Sequence, residues 1–175
     1  MVRTALVSVI SFAFFSSAAL SQAQTFGDWA VDKSTSATTL AALTVNDSGD
    51  VFGQFCFLGE GSCVWIIALT TGCKEGTKAP VVVNSDAGAV QLEITCGGQL
   101  PPGAYGYGYV FTNFDQVDNL VKAATRVGFA IPLEADQFGV VRFSLRGASA
   151  AISAMRAAGE RRIKPPIRGT RDEKL

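Results

Sequence analysis

The sequence predicts a mainly β fold: an antiparallel β-sandwich with one or two short helices, held together by disulfide bonds. Three observations carry this prediction. Most segments alternate apolar and polar residues with a period of two, which is typical of half-buried strands, and only two segments show helical spacing. Four cysteines follow an apolar N-terminal leader. The chain of 175 residues is long enough for one domain with a hydrophobic core.

The first 23 residues resemble a signal peptide, with one early arginine, an apolar run and small residues before the cleavage point. We expect cleavage after Ala23, with Ser21 as the alternative position. An uncleaved membrane anchor is the competing interpretation, although its run of about 17 residues is at the lower limit for spanning a bilayer. Cleavage leaves a mature domain over residues 24–158, without a further transmembrane segment, in the periplasm or outside the cell.

The segments "FGDWAV" and "LAALTV" predict the opening strands, and two hairpins follow that hold three of the four cysteines, with Cys73 in the segment between them. In an oxidising compartment an even number of cysteines predicts two disulfides, for which three connectivities exist. One hairpin turns at "GEG" and brings Cys56 opposite Cys63. The other turns at "NSDAG" and carries Cys96 back towards Cys73. These two pairings are therefore preferred over a zinc site, for which no C-x-x-C spacing exists.

The stretch "YGYGYVF" predicts a strand with its aromatic rings on one face. Rings of this size on one face favour a wall of the core. Tyrosine hydroxyls favour a partly wet face instead, which would bind a small ligand or a glycan. The residues of that second interpretation are Tyr105, Tyr107, Tyr109 and Trp65.

A short amphipathic helix is predicted from Gln116, and Asp115 and Asp118 are expected in its first turn. Negative charge is favourable in a first turn, where a carboxylate oxygen can cap the free backbone N–H groups. Acid–base catalysis by the two carboxylates is the alternative interpretation. The strands "VGFAIPL" and "GVVRFSL" follow, and Pro132 indicates that the first of them lies at a sheet edge. A last helix, "GASAAISAMRAAG", is expected to stop at Gly159.

Residues 159–175 are predicted to form a basic, disordered tail. From residue 24 to 155 there are seven Lys or Arg and twelve Asp or Glu, whereas from residue 156 to 175 there are seven and three. The tail is either a solvated terminus or an arm that docks on an anionic surface. The cations of such an arm are Arg161, Arg162, Lys164, Arg168 and Arg171, after Arg156 at the change of sign.

Histidine is absent from the chain, which excludes Ser-His and Cys-His nucleophiles and histidine-ligated metals. No glycine loop for phosphate follows a strand and opens a helix. We therefore expect no enzymatic activity, cofactor or metal, and the acidic domain and predicted export argue against a nucleic-acid partner.

The opening "TFGDWAV" and the closing "GVVRFSLRGASAAISAM" resemble the invasion-associated locus B family of bacterial envelope proteins, and "DNLVKAATRVGFAIPL" is similar to that family's helix before its last hairpin. The chain departs from the family pattern at "VDK", where a cysteine is common, and at Ala148, where a bulky residue is usual. The resemblance implies a β-sandwich that acts in the periplasm or outside the cell without an established catalytic role.

Two functions follow from the sequence. The first is a non-catalytic interaction protein with a protein partner in the bacterial envelope or on a host cell. The alternative is a binder of small ligands or glycans through the aromatic strand.

Overall fold

The computed structural model describes residues 23–36, 38–100, 106–132 and 138–163, and it describes residues 33–36 by their backbone only. Residues 1–22, with most of the predicted leader, lie outside the described residues. The described residues form strands and two helices. Their bounds are β1 (Gln24–Phe26), β2 (Trp29–Ser36), β3 (Thr39–Val45), β4 (Val51–Phe57), β5 (Ser62–Leu69), β6 (Lys78–Ser85), β7 (Gly88–Gln99), β8 (Tyr107–Phe111), α1 (Phe114–Ala123), β9 (Arg126–Pro132), β10 (Phe138–Ser144) and α2 (Ala148–Ile163).

The strands form one antiparallel sheet in the order β1-β2-β3-β4-β5-β8-β7-β6-β9-β10. The sheet curls over itself, because Phe52 of β4 packs against strands at the opposite end of that order. Its ring lies 5.0 Å from Phe129 of β9 and 5.6 Å from Phe143 of β10. The two halves of the sheet thus enclose a common core, and the predicted mainly β, antiparallel fold with two helices is confirmed.

Aromatic rings form the centre of this core. Trp29 is 1% exposed, and Phe52 and Trp65 are fully buried. The Trp65 ring stacks on Phe52 with centroids 5.2 Å apart, and Trp29 meets both of them edge-on at 6.0 and 6.3 Å. Edge-to-face and stacked contacts at such distances add to the free energy gained by burying the rings.

The two disulfides confirm the pairing expected from the hairpins. Cys56 and Cys63 are direct cross-strand partners in β4 and β5, with their Cα atoms 4.0 Å apart. The second disulfide links Cys73, in the segment before β6, to Cys96 in β7, and their Cα atoms are 6.0 Å apart. The two disulfides together contain all four cysteines of the chain, so no thiolate remains to bind zinc.

Removing the Cys73–Cys96 bridge should destabilise the domain more than removing the Cys56–Cys63 bridge. The two bridges span 23 and 7 residues. In the chain-entropy model a closed loop of the longer size is worth about 3.5 kcal/mol and one of the shorter size about 2.5 kcal/mol. Chemical denaturation of the two double Cys→Ala variants measures both values, and equal losses would contradict the loop-length argument.

The helix α2 extends beyond the predicted stop at Gly159 and ends at Ile163. Gly159 is buried, and a Cβ at this position would come within 3.2 Å of the Leu58 side chain and 3.5 Å of Leu40. The prediction that Gly159 stops the helix is wrong, because this glycine permits close packing of the helix and does not terminate it. No helix of the described residues has the length and apolar character needed to cross a membrane.

The strand β9 lies between β6 and β10, so the prediction that Pro132 marks a sheet edge is also wrong. Pro132 is the last residue of β9. Pairing with β6 reaches only as far as Ala130, opposite Val82. The proline is tolerated because β6 needs no N–H donor at that point.

Candidate functional site

An open groove of about 1170 Å³ lies on the face of β6, β9 and β10 that points away from the core. Its floor residues alternate along the strands with the buried Val83, Phe129 and Phe143. The turn between β1 and β2 and the turn between β3 and β4 form its walls. We call this site the β10 groove.

The floor of the β10 groove has an apolar end and a polar end. Val82, Ala130 and Val140 stand side by side across the three strands. Val82 and Val140 are each 53% exposed, which is unusual for valine in a strand. The next row lies two positions away on each strand and consists of Asn84, Gly128 and Arg142.

Gly128 leaves the middle of that polar row without a side chain. A Cβ at this position would lie 3.6 Å from Cγ of Arg142 and 3.8 Å from the carbonyl oxygen of Asn84, which are ordinary contacts. The backbone there does not require glycine for its φ angle. A side chain at position 128 would therefore fill the groove without disturbing the strands.

At one end of the groove, the opening and closing sequence motifs dock on each other. The backbone N–H of Asp28 donates to the carbonyl oxygen of Arg146 at 3.0 Å, and the indole N–H of Trp29 donates to that of Ser144 at 2.8 Å. Gly27 and Gly147 have φ angles of 57° and 91°. A Cβ on Gly147 would overlap the carbonyl group of Phe26. We call this contact the terminal junction.

Two aspartates that line the groove are engaged within the protein. At the terminal junction the Asp28 carboxylate accepts hydrogen bonds from Ser144 at 2.6 Å and from the Arg146 guanidinium at 2.9 Å. Asp86 accepts hydrogen bonds from the Thr125 hydroxyl and backbone. These bonds hold the pKa of both carboxyls below the usual value for aspartate.

Two arginines of the same face have no such partner among the residues that the structure describes. Arg126 and Arg142 are exposed, and neither guanidinium makes a hydrogen bond or ion pair with another described residue. Asp47 lies at the rim, in the turn between β3 and β4. The floor of the groove thus combines exposed apolar side chains with cations that are available to an anionic group.

Two of the four aromatic residues named for the alternative, ligand-face interpretation lie in the core, which the competing interpretation as a core wall expects. Trp65 is fully buried and Tyr109 is 6% exposed, with its hydroxyl donating to the carbonyl oxygen of Thr71 at 3.1 Å. The ligand-face interpretation is wrong for these two residues, because a ring without solvent contact cannot stack on a ligand. Tyr107 is half-buried at the edge of the hydrophobic core, and Tyr105 lies outside the described residues.

Asp118 does not cap α1, contrary to expectation. It lies one turn into the helix, 8% exposed, and its carboxylate is 2.7 Å from Lys122 and 2.9 Å from Arg156 of α2. Gln54 of β4, fully buried, donates to the same carboxylate at 3.3 Å and accepts from Arg156 at 3.0 Å. These bonds tie both helices to the sheet, so Arg156 is a structural residue and does not belong to a free basic arm. Asp115 is exposed in the first turn.

Acid should weaken this contact between the helices. Burial raises the pKa of Asp118, but the hydrogen bond and charge of Lys122 together with Arg156 outweigh it, and the pKa is lowered from 3.8. A lowered pKa means that the stabilisation is complete above the unfolded-state value of about 3.9 and is lost as the pH falls through the folded-state value.

Because the pKa of Asp118 is lowered in the folded state, the free energy of unfolding should fall between about pH 5 and pH 2. Asp118→Asn should reduce this fall. Urea denaturation across this range measures the effect. Asp115→Asn is the matched control on the same helix. An unchanged pH slope in Asp118→Asn would show that the ion pairs do not favour the folded state.

The predicted basic arm is described only at its beginning. Arg161 and Arg162 are exposed in the last turn of α2, whereas Lys164, Arg168 and Arg171 lie outside the described residues. The helix thus carries the first two cations of the segment predicted as a tail.

The amino-acid sequence does not reveal the β10 groove as a site, although it contains one signal. The alternation in "VVRFSLR" places Arg142, Ser144 and Arg146 on the solvent face of one strand. What the alternation does not show is that β6 lies beside β9, which completes the floor.

Comparisons with known proteins support the fold. No protein-family model matches the chain, and no curated protein sequence matches it either. A crystal structure of invasion associated protein B from Bartonella henselae matches with a TM-score of 0.54 and 18% sequence identity, and the match covers 80% of this chain and 99% of that one. At this identity the likeness establishes a shared fold, which is also the fold that the sequence resemblance implied.

Proposed function

We propose that this chain is an exported, non-catalytic protein whose β10 groove binds a partner protein. The observation that carries the proposal is the groove itself, in which exposed valines stand beside arginines that no described residue neutralises. Contiguous exposed apolar side chains rimmed by polar and charged residues are typical of surfaces that bind other proteins.

Export is supported by the signal-peptide pattern and by the two disulfides, which form and persist in oxidising compartments. The absence of histidine from the chain supports a role without acid–base catalysis near neutral pH. The name of the structural neighbour, an invasion associated protein, favours a partner in the bacterial envelope or on a host cell.

Site-specific photo-crosslinking in the native envelope tests this function. A photoreactive amino acid at Val82, on the groove floor, should capture a discrete partner, whereas the same group at the exposed Glu60 in the β4–β5 turn should not. Fractionation and thiol labelling of the same cells should find the protein outside the cytoplasm without free thiols. Cytoplasmic protein with reduced cysteines, or equal crosslinking from both positions, would contradict the proposal.

The basic C-terminal segment is a second contact that we propose from its charge. Deleting residues 164–175 removes four Lys or Arg and two Asp or Glu, and it begins after the last turn of α2. The melting temperature should stay nearly unchanged, while binding to anionic lipid vesicles should weaken and lose its salt dependence. Unchanged vesicle binding would show that the segment is a solvated terminus.

A further inference from the structure

Resting on the proposed function, we propose that the β10 groove takes an extended segment of the partner as an additional antiparallel strand along β10. The segment would carry an acidic residue opposite Arg142 and apolar residues opposite Val140 and Phe138. Two independent features of this part of the molecule support such binding, the backbone of β10 and the side chains beside it.

β10 is an end strand of the sheet and pairs with β9 alone among the described strands. The carbonyl oxygen of Ser144 points away from β9, since it accepts the Trp29 indole, whereas the next residue, Leu145, donates its N–H to Thr125 on the β9 side. Backbone groups alternate between the two sides of a strand. Val140 and Arg142 therefore direct their N–H and C=O groups away from β9, where no described backbone group bonds to them.

The side chains of the same alternate residues lie on one face of β10, where Val140 and Arg142 line the groove and Phe138 lies beyond its lining residues. Phe138 is 66% exposed and Val140 53%, and Arg142 is exposed as well. A strand added along this edge would place every second side chain next to these three. Its backbone would satisfy the free groups of β10, while its side chains would supply the specificity.

The charges identify the chemistry of the added strand. Arg146 engages Asp28 and Thr125 engages Asp86, whereas the Arg142 guanidinium on the groove floor has no partner among the described residues. A carboxylate opposite Arg142 would form a charge-assisted hydrogen bond, and apolar residues would cover the exposed end. In an antiparallel strand the acidic residue precedes the apolar ones by two and four positions.

Two other occupants fit less well. A second copy pairing through its own β10 would bring the segment "FGVVRFS", which has no carboxylate for Arg142. The chain's own residues 164–175 carry four Lys or Arg against two Asp or Glu and contain two consecutive prolines, which cannot donate hydrogen bonds to a strand.

Peptide binding to the purified mature protein tests the inference. The probe is the fluorescein-labelled peptide Thr-Glu-Thr-Val-Thr-Val-Thr, with a matched peptide that has lysine in place of glutamate. We expect the glutamate peptide to bind at least tenfold more tightly in fluorescence anisotropy. Its binding should also slow hydrogen exchange at the amides of Val140 and Arg142, which face the added strand.

Three variants separate the contributions. Val140→Pro removes one N–H at the free edge, where proline is tolerated, and should weaken binding at least tenfold. Val140→Thr keeps that N–H and should weaken it threefold or less. Arg142→Glu should reverse the preference in favour of the lysine peptide, and this variant keeps the test decisive if Val140→Pro does not fold.

Three outcomes would overturn the strand-addition proposal: equal binding of both peptides by the natural protein, binding of neither peptide, or a folded Val140→Pro variant that binds the glutamate peptide as tightly as the natural protein does. So would concentration-dependent dimerisation that excludes the peptide, measured by analytical ultracentrifugation. A groove-specific crosslink from Val82 together with failure of the peptide test would leave the proposed function standing and reject only this mode of binding.

Discussion

Replacing Gly147 with alanine should destabilise the domain by about 3 to 4 kcal/mol. A positive φ costs an L-residue about 1 to 2 kcal/mol, and Gly147 has a φ of 91°. The new Cβ would also overlap the Phe26 carbonyl, so the terminal junction must open. Its two hydrogen bonds to the carbonyl oxygens of Arg146 and Ser144 are worth about 1 kcal/mol each.

Gly49→Ala is the matched control for this prediction. Gly49 has a φ of 81°, but no atom lies within 4 Å of the position that its Cβ would take. It should therefore lose only the conformational part, about 1 to 2 kcal/mol. Urea denaturation of both variants gives the comparison. If Gly147→Ala is no less stable than Gly49→Ala, the terminal junction does not contribute to folding.

Truncating Trp29 to alanine should cost about 3 to 5 kcal/mol, the usual range for a buried aromatic residue. The ring is 1% exposed, packs edge-on against Phe52 and Trp65, and donates its indole N–H to Ser144 of β10. Its loss therefore leaves a cavity in the core and removes one bond of the terminal junction. Such a change is a large part of the 5 to 15 kcal/mol by which domains are stable.

Two further variants make this result interpretable. Trp29→Phe keeps most of the apolar ring and removes the indole donor, so it should lose less stability than Trp29→Ala. Phe138→Ala removes an aromatic ring that is 66% exposed and should change stability by less than about 0.5 kcal/mol. A Trp29→Ala variant as stable as Phe138→Ala would place the opening strand outside the core.

The sequence by itself determined the features that depend on neighbouring residues. A period of two, interrupted by "GEG" and "NSDAG", was enough to predict both hairpins, and a hairpin sets which residues stand opposite each other. The pairing of Cys56 with Cys63 followed directly. The glycine and tryptophan of the opening motif and the glycine after "SLR" were also visible, although not the contact between them.

Tertiary structure decided the features that depend on elements far apart in the chain. β9 lies inside the sheet, although its Pro132 suggested an edge, because β6 pairs with it as far as Ala130, and no local pattern encodes that neighbour. Asp118 pairs with Arg156, which is 38 residues away in the chain, and does not cap the helix as expected. Gly159 continues a helix because Leu58 packs against it. The β10 groove has the same origin: its floor joins three strands whose order follows from long-range pairing, while periodicity reports only which face of each strand is apolar.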